Sequence, residues 1–155
     1  VPLLGRITYN TVRMKHRQYI GTGLWILFFI ALDQIVKALI VARFPESVSY
    51  NSGIAWSIPV PNEVMYFVTP LLLCALGYGM IYYLALERLG SRVTAALIFA
   101  GGTANYIDRL RFQSVLDFID LGFWPSFNLA DSFIVIGAFA LIIFHGKMVK
   151  EYGGK

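Results

Sequence analysis

Apolar residues in this chain come in long runs. Four of these approach the roughly 20 apolar residues that a helix needs to cross a bilayer: about 21–42, 64–86, 93–110 and 127–145. The third is the most interrupted, with Gly101, Gly102, Thr103 and Asn105 inside it. The second contains Pro70, which lacks a backbone donor and frees a carbonyl within the helix. A shorter apolar run, Val115–Ile119, is split by Asp117 and reads as a strand or re-entrant piece at the membrane interface. The pattern predicts an all-α membrane protein: a four-transmembrane-helix bundle with a small extracytoplasmic region of strand and loop. Composition agrees, since 14% of residues are charged against roughly 25% in soluble domains, and the mean hydropathy is +0.65. At 155 residues a single domain, 1–155, is expected.

The net charge of +4 would matter for nucleic acid only if the bases formed one stripe, and they do not. Arg6, Arg13, Lys15 and Arg17 precede the first run, Arg88 and Arg92 separate the second from the third, and Lys147, Lys150 and Lys155 follow the fourth. Bases gather at the cytoplasmic ends of spans, so both termini are expected in the cytoplasm and the 43–62 loop outside. Residues 1–20 form a basic cytoplasmic segment suited to anionic headgroups. The first run is long and contains Asp33 and Lys37, and no small-residue cleavage site follows it, which predicts a retained anchor. Cys74, the one cysteine, sits among leucines and reads as packing.

The chemistry lies in the polar residues that interrupt the runs. Asp33 stands 12 residues into the first run, about 18 Å along a helix, beyond the midplane. Lys37 is four residues on and shares its face. Asp108 lies about 24 Å from Arg92, and Asp131 about 21 Å from His145. Acids from three spans therefore reach similar depth in the outer half, where Asp117 joins them. Asn105 and Asp108 share one helix face, as do Asn128 and Asp131. Asn128 suits a helix N-cap. In the outer loop, Asn51 and Gly53 suit a tight turn and Trp56 a membrane interface. Asp120 reads as a solvated loop acid.

Two close carboxylates share one proton and can activate water while protonating a leaving amine. Other chemistries fit less well. There is no G-x-S-x-G; Lys37 already has Asp33; Cys74 has no histidine nearby; and both histidines, His16 and His145, lie at the cytoplasmic end, away from the acids. No metal site and no cofactor are expected. Taken alone, these residues fit an aspartyl protease, an ion- or proton-coupled transporter, or a membrane scaffold.

The motifs resemble the lipoprotein signal peptidase family, signal peptidase II. The matching pieces are Asp33-Gln34-x-x-Lys37, Asn51-x-Gly53-x-Ala55 followed by an aromatic, Asn105-x-x-Asp108-Arg109, Val115-x-Asp117-Phe118 and Phe127-Asn128-x-Ala130-Asp131. Five pieces in order are specific where each alone is weak. The resemblance implies an intramembrane aspartyl endopeptidase of the bacterial cytoplasmic (inner) membrane, multi-pass, with its active site at the outer face. Its implied substrate is a prolipoprotein carrying a diacylglyceryl cysteine, cut just before that cysteine. Besides this substrate and membrane lipids no partner is implied, and a monomer is expected. The implied catalytic pair is Asp117 and Asp131. Asn51, Gly53, Asn105, Arg109, Asn128 and Ala130 match surrounding site positions, and Asp33, Lys37 and Asp108 match supporting ones. Two departures stand out. Ala104 replaces the family's glycine before Asn105, and the link from Lys37 to Asn51 is short, implying a reduced outer sheet to cradle substrate.

Overall fold

The computed structural model describes residues 2–53, 58, 60–86 and 88–148; the side chains of 2–16, 62, 145 and 148 fall outside that description. Ala55 and Trp56 of the second motif, and Lys150 and Lys155 of the basic C-terminal flank, lie outside the described residues. The order is α1 (Pro2–Arg43), a 3-10 turn (Pro45–Ser47), β1 (Ser49–Asn51), α2 (Asn62–Tyr83), α3 (Leu89–Phe112), β2 (Val115–Asp117), α4 (Leu129–Ile143) and a short α5 (His145–Met148).

Each helix departs somewhat from its predicted span. The basic segment 1–20 is not separate from span one, because α1 runs unbroken from Pro2. Proline is tolerated in a first helical turn, where its missing N–H has no intrahelical partner anyway. Span two was expected to reach residue 86, but α2 stops at Tyr83. Leu84 turns extended; Leu84, Ala85 and Leu86 are buried, and the two leucines pack with Met80 and Ala95. Apolar residues in a turn look like helix in a hydropathy reading, yet here they plug the bundle end. At its far end α3 closes on Gln113 in the left-handed region, φ 56°. Span four begins later than predicted, since Phe127 pairs with Ile119 in a β-bridge and Asn128 is the cap.

Two stretches, Arg17–Arg43 and Glu63–Tyr83, are long and apolar enough to cross a membrane, and Leu129–Ile143 is a shorter apolar helix. Only 11% and 6% of the two long windows are buried. A core helix of a soluble protein would bury most of that surface, so these faces suit lipid. Leu24, Leu27, Phe67, Leu71, Phe139 and Ile142 all point outward.

Helix α3 is the axis; α1, α2 and α4 all pack on it, and α1 and α2 hardly touch each other. Small side chains make that possible. Ala95, Ala96, Ala100, Gly101 and Ala104 are buried along α3. A Cβ on Gly101 would collide with the Ala130 carbonyl oxygen and come within 2.7 Å of Ile134 Cγ1 on α4. On Gly102 it would meet only the flexible end of Leu73, at 2.9 Å. Gly101→Ala is therefore expected to lower the melting temperature sharply, because a backbone cannot step aside, while Gly102→Ala should shift it little. Equal melting shifts for the two variants would contradict this packing. Ala104, where the resemblance implied a glycine, is fully buried, and its carbonyl accepts from Gln34 Nε2.

β1 and β2 form a two-stranded antiparallel sheet in which Ser49 faces Asp117 and Asn51 faces Val115. With three residues per strand, the sheet is small, as the short Lys37–Asn51 link implied.

Candidate active site

Asn128 organises the site. It caps α4 by a reciprocal box: its Oδ1 accepts from Asp131 N at 2.9 Å, and its own backbone N–H donates to Asp131 Oδ2 at 3.2 Å. Such a box fixes both side chains. Asn128 Nδ2 then has two protons to place. One goes to Asp117 Oδ1 at 2.7 Å and the other to Asn105 Oδ1 at 3.2 Å. A fully buried asparagine thus touches both Asp117 and Asp131. The N-cap and the acid one turn later are one device, which binds a carboxylate at the positive end of a helix dipole.

Asn105 completes the link. Its Nδ2 donates to Asp131 Oδ1 at 2.8 Å, and its Oδ1 faces Lys37 Nζ at 3.4 Å. An ammonium can only donate. Lys37 therefore holds the Asn105 oxygen toward itself and leaves the amide protons for Asp131. Asp117 is buried at the end of β2, where Asn51 Nδ2 reaches its Oδ2 at 3.2 Å. Asn51 also forms an Asx turn, accepting from Gly53 N at 2.9 Å, and the Gly53 carbonyl accepts from Arg109 Nη2 at 3.0 Å. The 51–53 turn is so tied to α3.

Behind this layer Lys37 pairs with Asp33 at 2.8 Å and Asp108 at 2.6 Å, all three side chains being buried. The i,i+4 pair predicted from spacing forms, but it is half of a larger cluster. Asp33 Oδ1 also accepts from Ala130 N at 2.9 Å, joining α1 to the first turn of α4. Asp108 Oδ2 accepts from Leu116 N at 3.3 Å, which anchors β2. Asp108 pairs with Lys37 and not with its neighbour Arg109, so Lys37 would keep one carboxylate even if Asp33 were lost.

Every predicted site residue with a described side chain lies in this network or against it; Ala130 contributes its backbone N–H. Asp120 stands apart, exposed, with Gly122 N donating to its Oδ1 at 2.7 Å. Gln34, to which its motif assigns no role, is structural. It donates to Asp108 Oδ1 at 2.8 Å and accepts from Arg111 Nη1 at 3.3 Å. A polar residue beside Asp33 in an apolar run was the available signal. The loop residues Trp124 and Pro125, which line the cavity beside Phe127, carry no local pattern that marks them as site residues.

Asp117 and Asp131 line one cavity of about 340 Å³, with Asn51, Asn105, Arg109 and, on its apolar side, Trp124, Phe127, Ile134 and Val135. Burial, and next the negative charge of Asp131, push the Asp117 carboxyl up to about 6, against the pull of its hydrogen bonds from Asn51 and Asn128. A protonated acid and an ionised one can therefore coexist near neutral pH, the state that acid–base catalysis by a carboxyl pair requires.

The signal peptidase II family model, described as Signal peptidase (SPase) II, matches residues 25–146. The chain is 34% identical to the lipoprotein signal peptidase of Halothermothrix orenii over 133 residues, covering 77% of this chain and 90% of that one. It is 36% identical to that of Moorella thermoacetica, covering 74% and 85%, and 33% identical to that of Staphylococcus aureus, covering 84% and 91%. Among solved structures it is similar to a bacterial membrane enzyme determined by the in meso method at 2.3 Å resolution, with a TM-score of 0.68 and 31% identity over 82% of this chain and 88% of that one.

Proposed function

The chain belongs to the signal peptidase II family, and from that we propose that Asp117 and Asp131 are the catalytic dyad by which it cleaves signal peptides from diacylglyceryl-modified prolipoproteins. It is a membrane-located peptidase of the aspartic type acting in lipoprotein processing. The observation that carries the dyad is Asn128, whose side-chain amide holds Asp117 while its backbone holds Asp131 at the wall of one cavity. In the working state one carboxyl keeps the shared proton and the other, ionised, draws a proton from water. That water attacks the peptide carbonyl just before the lipidated cysteine, and the retained proton goes to the departing amine. The apolar wall beside the dyad, from Trp124 to Val135, suits the hydrophobic stretch of a signal peptide.

The same reading gives four spans with both termini cytoplasmic and the dyad at the outer face. What supports it is that Asp33, Asp108 and Asp131 lie toward the ends of α1, α3 and α4 remote from Arg17, Arg88 and Lys147. Reporter fusions at Lys155 and near Pro61 should give opposite signals; matching signals would break the four-span topology.

Incubation of the purified protein with lipidated and unlipidated prolipoprotein tests the activity. The lipidated form should be shortened by its signal peptide, and the idea fails if neither is cut. The pH profile tests the dyad. Asp117 is raised to about 6, so above that pH the doubly ionised pair takes over and kcat/KM should fall about tenfold per unit. Stability has the same sign. The folded protein holds this proton more tightly than the unfolded chain, so the melting temperature should decline as pH rises from about 4 to about 6. A kcat/KM that keeps rising through pH 8 would contradict the assignment.

A further inference from the structure

At the end of the bundle remote from the acids, α1 and α2 diverge, each resting on α3. The gap between them is a cavity of about 280 Å³, walled by Gly23 and Ile26 of α1, Gly77 and Met80 of α2, and floored by Ala95 and Phe99 of α3. Its lining is almost wholly apolar. An empty void of this size would forfeit the contacts of every side chain around it, so in a membrane it must be filled from the lipid side.

Arg92 lies on α3 about one turn beyond the cavity floor, beside Gly21 of α1. It lies three residues before Ala95 and seven before Phe99, on the same helix face, and its Nη1 rests 3.5 Å from where a Cβ on Gly21 would be. The Arg92 Nε is buried and meets no acceptor. A buried guanidinium donor without a partner is costly. No described carboxylate is placed to help, since Asp33, Glu46, Glu63, Asp108, Asp117, Asp120 and Asp131 all lie toward the other end of the bundle. Arg17 and Arg88 add positive charge at the Arg92 end.

We propose that Arg92 and this cavity form a binding site for an anionic phospholipid, whose phosphate takes the Arg92 guanidinium and one of whose acyl chains fills the gap between α1 and α2. Guanidinium matches phosphate with paired hydrogen bonds, and the apolar lining matches a chain and nothing polar. In the proposed topology the lipid comes from the cytoplasmic leaflet. The site is independent of the dyad, so cleavage by dyad variants does not bear on it.

Native mass spectrometry of the delipidated full-length protein, titrated with phosphatidylglycerol or with phosphatidylcholine of the same chains, tests this. Phosphatidylglycerol should be retained at least about fivefold better, the factor that one lipid-facing base supplies. Arg92→Gln should abolish that preference, and Arg17→Gln should not. Gly23→Leu is the second variant: a Cβ there meets nothing within 4 Å, so the leucine can fill the cavity without disturbing the helices. It should remove most bound phosphatidylglycerol with the melting temperature kept. Equal retention of the two lipids, an unchanged preference in Arg92→Gln, or undiminished binding in Gly23→Leu would overturn the proposal. So would full competition by glycerol phosphate, which would leave a phosphate site with no role for the chain.

Discussion

Asp117→Asn is expected to give a folded protein that binds lipidated prolipoprotein and cleaves it about a thousandfold more slowly, or not at all. The amide keeps the shape of the carboxylate and one acceptor. It loses the other, because Asn51 Nδ2 and Asn128 Nδ2 both donate toward residue 117 and one of them would face an NH2 group. That cost, about 1 kcal/mol, is opposed by a gain. Burial and Asp131 disfavour the ionised Asp117, which is why its carboxyl is raised to about 6. A neutral side chain there escapes this penalty at pH 7. The melting temperature should therefore hold or rise while activity disappears, the pattern of a functional residue kept at the expense of stability. Asp131→Asn should be equally inactive, and should also lower the pH at which Asp117 titrates, because it removes the second cause of the shift. Infrared titration of the carboxyl stretch reads this without turnover. Asp120→Asn, at the exposed turn, is the comparison. Cleavage by Asp117→Asn within tenfold of wild type would sink the dyad.

Lys37→Met should have the largest effect on stability. The Lys37 side chain is 3% exposed and is in ion-pair contact with two carboxylates, Asp33 and Asp108, that are 0% and 1% exposed. Methionine fills the volume and leaves both acids buried without a cation, which costs about 3–5 kcal/mol. Asp33→Asn is milder. Lys37 keeps Asp108, and the new amide oxygen can still accept from Ala130 N. Lys37→Met with Asp108→Asn should recover part of the loss by removing one stranded charge. In that double variant kcat should stay low even as the protein regains stability, because Asn105 is no longer held with its amide protons toward Asp131. Melting in detergent separates these cases. A Lys37→Met protein as stable as Asp33→Asn would mean the ammonium is not the centre of the cluster.

Hydropathy alone located the four helices, because a run of apolar residues is compatible with lipid only if its backbone bonds internally. Counting residues from the basic ends also set depth, since a helix rises about 1.5 Å per residue. Depth was enough to put Asp33, Asp108 and Asp131 at one level, and the spacing of Asn128 and Asp131 was enough to mark a cap. The choice of Asp117 with Asp131, out of several acids at that level, came from motif resemblance. Depth is one coordinate, and the rotation of each helix and the order of its neighbours are not contained in it.

Those were decided by packing. Gly101 admits the Ala130 backbone against α3, and only then can Ala130 N meet Asp33 and Asp131 meet Asn105. Leu84–Leu86 read as helix in a hydropathy pattern but turn inward, because the chain must reverse there and the bundle end needs filling. Gln34 and Trp124 gained their places only when α1 and the 121–127 loop were set beside α3 and α4. The sequence therefore determined which residues stand at one level of the bundle. The close contacts between small side chains decided which carboxylate each buried amide meets, because a hydrogen bond tolerates a few tenths of an ångström while helical spacing leaves the facing neighbour open.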